Sequence, residues 1–245
     1  MIVNEIFHSL QGEGFLVGVP SVFIRLAGCP LRCKWCDTKY ALDPNAGDDL
    51  TIEQIIDKVE TIASLSSHEP RLSTVAFSSS VNLSKEEAKV EATSHESRYV
   101  VITGGEPMTN PDLPKLAQAL KNCGKHITIE TTGIAFVPKL SCDLMSISPK
   151  LSNSGNSSGP DLTVLNDLIA GYEYQLKFVV DSADDLPEIK QVLSKLNNID
   201  FSKVMLMPQA ATRDELLAKS PMVADLCKQN SFAFCQRLQI LLNFK

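Results

Sequence analysis

Short apolar runs alternate with amphipathic stretches along most of this chain. Four stretches repeat apolar residues at the three- and four-residue spacing of a helix, with Thr51 placed to cap the first, and they cover 52–62, 112–121, 184–196 and 212–228. The runs rich in Val, Ile and Leu are predicted to be buried strands, at 21–27, 99–103, 126–130, 143–148, 175–180 and 203–207. This alternation predicts an α/β fold with a mostly parallel sheet, whose ligands bind at the carboxyl ends of the strands.

Two polar segments depart from the alternation. Residues 64–98 are rich in Ser, Glu, Lys and Thr, a composition that buries little surface. We therefore expect one domain over 1–245 with a mobile surface insertion at 64–98. A second polar loop at 153–159 is predicted to be flexible and able to act as a lid.

Charge and hydropathy narrow the classes of function. The 245-residue chain has a net charge of −6, which argues against general nucleic-acid affinity. It contains no apolar run as long as a membrane span. Its first residues lack the basic and apolar regions of a signal peptide, so we expect a cytoplasmic protein.

Three of the seven cysteines lie within eight residues, in Cys29-Pro-Leu-Arg-Cys33-Lys-Trp-Cys36. Thiolates bind iron–sulfur clusters, and three of them leave one iron of a four-iron cluster open to a small molecule. A zinc site would need a fourth Cys or His nearby, and the next histidine is His68. A disulfide is disfavoured in a reducing compartment. The remaining cysteines are expected to be small buried hydrophobes, namely Cys123, Cys142, Cys227 and Cys235.

A cation and a carboxylate stand out near this motif. Arg25 interrupts an apolar strand, so its buried charge needs either a protein carboxylate or a substrate carboxylate, and the nearby cysteines favour the substrate. Glu13 lies between glycines in Gln11-Gly-Glu-Gly14, which is either an ordinary turn or a ligand site. As a ligand, its carboxylate could accept two hydrogen bonds from the planar edge of a pterin or guanine.

Other motifs follow predicted strands. Thr103-Gly-Gly-Glu-Pro107 would expose backbone groups to a ligand, and Glu106 could hold an ammonium group. Ser148-Pro-Lys150 and Met207-Pro-Gln209 are turns that gain meaning only from a family resemblance. Asp37-Thr38 could bind a hard cation such as Mg2+ or cap a helix, and the sequence alone favours capping.

The cysteine spacing together with Thr103-Gly-Gly-Glu-Pro107 resembles the radical S-adenosylmethionine (SAM) superfamily. Together with Phe7-His-Ser-Leu-Gln-Gly-Glu-Gly14, Phe23-Ile-Arg-Leu-Ala-Gly-Cys29 and Glu130-Thr-Thr-Gly133, it resembles the 7-carboxy-7-deazaguanine synthase family. The resemblance implies a partial (βα) barrel and a homodimeric lyase of queuosine biosynthesis, reduced by an electron donor such as flavodoxin or ferredoxin. It also implies a 4Fe-4S cluster, SAM and Mg2+ as cofactors and a small pterin substrate, 6-carboxy-5,6,7,8-tetrahydropterin, with no nucleic-acid or membrane partner.

The resemblance also implies roles for individual residues. Cys29, Cys33 and Cys36 would ligate the cluster, and Thr38 would ligate Mg2+. The pterin would be bound by Leu10, Gln11, Gly12, Glu13, Arg25 and Thr103. SAM would be contacted by Trp35, Cys36, Asp37, Gly105, Ser148, Pro149, Lys150, Met207, Pro208, Gln209 and Ala210.

Two alternative functions remain, and the sequence departs from the family pattern at one point. A glycyl-radical activating enzyme shares the cysteine spacing but gives no reason for a Gln-Gly-Glu-Gly motif beside a buried arginine. A non-catalytic iron–sulfur module leaves Thr103-Gly-Gly-Glu-Pro107 unexplained. The ending 237–245 resembles the family's strand-like end, but Asn243-Phe244 replaces a common Trp-Gly pair.

Overall fold

The computed structural model describes residues 1–65 and 97–244, and within them nine strands form one sheet. The strands are β1 (Ile2–Leu10), β2 (Pro20–Leu26), β3 (Asp48–Asp49), β4 (Tyr99–Gly104), β5 (His126–Thr131), β6 (Leu144–Ile147), β7 (Tyr174–Val180), β8 (Val204–Pro208) and β9 (Ala233–Phe234). The described helices are α1 (Ile52–Leu65), α2 (Leu113–Asn122), α3 (Leu162–Gly171), α4 (Leu186–Leu193), α5 (Arg213–Asn230) and α6 (Leu238–Leu242).

The sheet is open and mostly parallel. Its strand order is β3-β1-β2-β4-β5-β6-β7-β8-β9. Strand β1 runs antiparallel to β2 and β3, and every pairing from β2 to β9 is parallel. The predicted α/β class and parallel sheet are confirmed.

The two faces of the sheet differ in chemistry because side chains alternate along each strand. Ile24, Ile102, Ile129 and Phe178 are fully buried in the core against the helices. Their neighbours along the strands are polar: Arg25, Thr103, Glu130 and Lys177 point to the opposite face and line a cavity. One face therefore holds the fold together, and the other carries chemistry.

Local signals explain several of the predicted elements. The Thr51 hydroxyl accepts the backbone N–H of Gln54 at 3.3 Å, which confirms the cap at the start of α1. Helix α5 begins with a capping box between Thr212 and Glu215. Helix α3 and strands β1, β3 and β9 were not predicted.

The strand-like ending expected at 237–245 is wrong, because the chain forms α6 there. The N–H of Leu241 donates to the carbonyl of Arg237 at 3.0 Å, which is a helical bond. Asn243 ends the helix with a φ of +55°, a left-handed conformation that asparagine tolerates. Most of the predicted insertion at 64–98 lies outside the described residues.

No helix in the described part of the chain is long and apolar enough to cross a membrane.

Candidate active site

A cavity of about 810 Å³ opens at the carboxyl ends of the parallel strands. Its floor is formed by the ends of β2, β4, β5, β7 and β8. The loop that carries the three cysteines borders the cavity. Helix α6 and the residues after it close one side through Gln239, Ile240, Asn243 and Phe244. Its volume suits one or two small organic ligands.

The three motif cysteines are free and partly buried. Burial raises the pKa of Cys29 and Cys36, and a thiolate at Cys33 would raise both further. Three thiolates so placed need a positive centre between them, as an iron–sulfur cluster provides, so the donor set fits that cofactor. Across residues 1–65 and 97–244, no three His, Cys, Asp or Glu side chains already converge as metal ligands.

Residues 152–156 dock on the cysteine loop. The backbone N–H of Lys34 donates to Ser154 O at 2.9 Å, and the Trp35 indole N–H donates to Asn153 O at 3.1 Å. Asn156 Nδ2 lies 3.1 Å from Cys33 Sγ. This part of the loop is thus paired with the cysteine loop, and the flexible lid expected at 153–159 stays a prediction.

Gly105, the residue that follows β4, serves close packing. The N–H of Glu106 donates to Gly28 O at 2.8 Å, and a Cβ on Gly105 would lie 1.9 Å from that same oxygen. The Glu106 carboxylate accepts hydrogen bonds from Thr131, from Thr132 and from the N–H of Met108. Glu106 is thus a buried anchor of strand ends, and the expectation that it holds an ammonium group is not supported by this arrangement.

Glu13 is the centre of a buried charge network. Its Oε2 accepts a hydrogen bond from Lys177 Nζ at 2.9 Å, and its Oε1 accepts from Arg237 Nε at 3.2 Å and Gln239 Nε2 at 2.9 Å. Burial alone would raise the pKa of Glu13, but Lys177 and Arg237 lower it to about 2. Burial alone would lower the pKa of Lys177, but Glu13 and Glu130 raise it. Glu13 is therefore an anion and Lys177 a cation at neutral pH.

Arg25 has a protein partner. Its Nε donates to Glu5 Oε1 at 2.8 Å, and its guanidinium lies over the rings of Phe7 and Tyr40. The described residues offer its two terminal nitrogens no hydrogen bond, and Arg25 lines the cavity. Of the two partners that the sequence allowed for Arg25, the protein carboxylate is thus present. Part of the guanidinium still faces the cavity.

Asp37 and Thr38 lie on the cavity wall. Thr38 precedes a 3₁₀ turn, but its side chain makes no capping bond and instead donates to Asp37 Oδ1 at 3.0 Å. The other Asp37 oxygen pairs with Arg237. The capping interpretation that the sequence favoured for Thr38 is therefore wrong.

Arg237 joins three parts of the site. Besides its contacts with Glu13 and Asp37, its Nη1 donates to Ala210 O at 2.6 Å. One buried guanidinium thereby links the Gln11-Gly-Glu-Gly14 segment, the cysteine loop and the end of β8.

Lys150 lies beside the indole of Trp35 in the cysteine motif. Lys150 Nζ lies 5.4 Å from the centre of the Trp35 ring and donates to Ser148 Oγ at 3.0 Å. Burial lowers the pKa of Lys150, while a thiolate at Cys33 opposes that shift. A flat ring, a hydroxyl and a cation thus stand together where a nucleoside could lie.

The structure brings many of the sequence-predicted residues to one cavity. Its lining includes Gln11, Gly12, Glu13, Arg25, Trp35, Asp37, Thr38, Thr103, Ser148, Lys150 and Met207. The others do not line it, namely Leu10, Cys29, Cys33, Cys36, Gly105, Pro149, Pro208, Gln209 and Ala210.

Sequence reasoning missed the residues that complete these networks. Lys177 interrupts the apolar strand β7 just as Arg25 interrupts β2, so the same argument could have found it. Glu130 accepts hydrogen bonds from Gln11 and Thr103, and its place at the end of β5 was visible. Arg237 and Gln239 gave no signal, because their partner Glu13 is more than two hundred residues away.

Comparison with known proteins agrees with this geometry. Residues 23–146 match the family model of the radical SAM superfamily. The 7-carboxy-7-deazaguanine synthase of Rhodopirellula baltica is 35% identical over 98% of this chain and 85% of its own length. The enzyme of the same name from Halobacterium salinarum is 32% identical over 98% of this chain and 89% of its own length.

A solved structure has the same fold. The crystal structure of QueE from Escherichia coli superposes with a TM-score of 0.66 and 23% identity, over 97% of this chain and 93% of that one. The three-cysteine loop, the cavity at the strand ends and the full-length relatives lead to one conclusion: this chain is a radical SAM enzyme of the 7-carboxy-7-deazaguanine synthase family.

Proposed function

We propose that the cavity binds 6-carboxy-5,6,7,8-tetrahydropterin and converts it to 7-carboxy-7-deazaguanine with loss of ammonia. The observation that carries this proposal is the largely buried, ionised Glu13, which shares with Arg25 a cavity that the cysteine loop borders. A carboxylate that stays charged is a fitting partner for the N–C–N–H edge of a pterin.

The polar floor would orient the substrate. Glu13 uses three of its roughly four acceptor positions for Lys177, Arg237 and Gln239, so the pterin edge would take the remaining position or displace Gln239. The free nitrogens of Arg25 would bind the substrate carboxylate. Thr103 and Glu130 would complete the floor, and Gln11 and Gly12 would form the adjoining wall.

The other end of the cavity would hold SAM and border the cluster. Cys29, Cys33 and Cys36 would ligate the 4Fe-4S cluster, and SAM would lie along Trp35, Ser148, Lys150 and Met207. When bound, the reduced cluster and SAM supply the radical that removes a hydrogen atom from the substrate. The protein's part is to fix the distance and exclude water, since a misplaced radical reacts with whatever is near.

We infer that Thr38 ligates Mg2+ beside the substrate carboxylate. Thr38 lines the cavity next to Asp37, and its hydroxyl does not cap the 3₁₀ turn that follows. Replacing it by Thr38→Val keeps the shape and removes the oxygen, so the Mg2+ concentration needed for half-maximal turnover is expected to rise roughly tenfold. Thr163→Val, at an exposed position of α3, is the matched control, and an unchanged Mg2+ dependence in Thr38→Val would contradict the assignment.

The remaining partners follow from the family. We infer a homodimer and an external one-electron donor of the flavodoxin or ferredoxin kind. Analytical ultracentrifugation of the reconstituted enzyme tests the first, and SAM cleavage driven by reduced flavodoxin in place of dithionite tests the second.

An anaerobic turnover assay tests the reaction. Reconstituted, dithionite-reduced enzyme receives SAM, Mg2+ and 6-carboxytetrahydropterin, and mass spectrometry follows the products, with reductant omitted as the blank. Reductant-dependent formation of 7-carboxy-7-deazaguanine is expected. Formation of 5′-deoxyadenosine without that product would refute the substrate, and formation of neither would refute the reaction.

A further inference from the structure

We propose that Asn156 is a positioning residue for the cluster and raises its reduction potential by donating a hydrogen bond from Nδ2 to the sulfur of Cys33. The amide nitrogen lies 3.1 Å from that sulfur, although the two residues are far apart in the chain. The inference depends on Cys33 ligating the cluster and is independent of the substrate's identity.

The orientation of the Asn156 amide is fixed by its neighbours. Its Oδ1 accepts the backbone N–H of Arg32 at 2.9 Å, a contact that an NH2 group could not make. Its Nδ2 therefore faces Cys33 and also lies 3.0 Å from Ser154 Oγ. The side chain presents a donor to the sulfur and an acceptor to the residue before it.

Several hydrogen bonds hold the turn that leads into Asn156. Ser154 is fully buried and its hydroxyl donates to Leu151 O at 2.6 Å. The Asn153 side chain donates to Val179 O in β7 at 2.9 Å. The Glu188 carboxylate in α4 accepts hydrogen bonds from Ser152. The donor is thus carried on a supported turn rather than on a freely moving loop.

A donor at a ligand sulfur favours the reduced cluster. Reduction adds negative charge, part of which resides on the sulfurs, and a hydrogen bond stabilises that charge. Asn156 adds no formal charge of its own, in contrast to Lys150, so its effect is a local tuning of the potential. Its removal should make the cluster harder to reduce.

The sharp test is Asn156→Asp. Aspartate keeps the acceptor for the Arg32 N–H and the size of the side chain, but it replaces the donor by an anion. An EPR-monitored redox titration of reconstituted enzyme without substrate should give a midpoint potential that falls in the order wild type, Asn156→Ala, Asn156→Asp. The matched control is Ser157→Ala, an exposed position next to Asn156 in the same loop, which should leave the potential unchanged.

Three outcomes would overturn the proposal. They are unchanged potentials in both Asn156 variants, an increase in either of them, or an equal decrease in Ser157→Ala. Should the variants fail to hold a cluster, wild-type enzyme labelled with side-chain 15N-asparagine provides a second measurement. Pulsed EPR of the reduced cluster should then show hyperfine coupling to an asparagine amide nitrogen, and its absence would also reject the role.

Discussion

Replacing Lys177 by methionine is expected to reduce turnover of the pterin by roughly 100-fold and to destabilise the fold by about 3 to 5 kcal/mol. Lys177 is only 3% exposed and its Nζ binds Glu13 Oε2 at 2.9 Å. The variant leaves the Glu13 carboxylate buried with one cation fewer, and burying an uncompensated charge is costly. Because Arg237 still pairs with Glu13, we expect the lower end of that range.

The pH dependence of stability separates this charge effect from a packing effect. The pKa of Glu13 lies at about 2, below its usual 4.5, so the ion pair stabilises the native state fully above pH 4.5. That stability is lost as the pH falls from about 4.5 toward 2. The difference in unfolding free energy between wild type and Lys177→Met should therefore be largest at neutral pH and shrink on acidification.

Urea unfolding of both cluster-free proteins at several pH values measures this difference. Lys115→Met, which breaks an exposed ion pair with Asp112, is the matched control and should change stability by less than about 1 kcal/mol. The double variant Glu13→Gln with Lys177→Met should regain stability without regaining turnover. A stability difference that stays constant with pH would contradict the charge argument.

The parts of the molecule that were predictable from sequence are those encoded by short-range patterns. The apolar run at 99–103 matched β4 because buried parallel strands are rich in apolar residues, and 126–130 matched β5 because its β-branched residues Ile127, Thr128 and Ile129 favour a strand. Strand β1 was missed because its burial is mixed: it contains the partly exposed Glu5 and the exposed His8. Its place in the sheet depends on antiparallel pairing with β2 rather than on its own composition.

The site was predictable where a residue type conflicts with its local surroundings. Arg25 in an apolar strand predicted a charged pocket, although the sequence did not show that Glu5 would be the partner of Arg25. Glu106 was misjudged because a carboxylate at a strand end has the same sequence signature whether it binds a ligand or four protein donors. The contacts of Asn156 were also invisible, since a polar loop gives no sign of which surface will meet its side chains.

The second large effect is expected for Gly105→Ala, which should lose most of the iron and sulfide bound per chain and reduce SAM cleavage by at least about 100-fold. A Cβ at this position would lie 1.9 Å from Gly28 O, 2.3 Å from Gly28 C and 2.9 Å from Cys29 N. All three are backbone atoms, so no rotation of a side chain can relieve the overlap. The end of β4 and the cysteine loop would have to separate.

Displacing Gly28 would disturb cluster binding directly, because Cys29 is the next residue. The hydrogen bond from Glu106 N to Gly28 O at 2.8 Å would also stretch. Such overpacking costs about 1 to 3 kcal/mol, so the chain should still fold. Gly159→Ala is the matched control, since a Cβ there meets nothing within 4 Å. Iron and sulfide analysis, cluster absorbance and 5′-deoxyadenosine formation measure the outcome. Wild-type cluster content in Gly105→Ala would show that the cysteine loop can shift without losing its ligands, and that the glycine serves a purpose other than close packing.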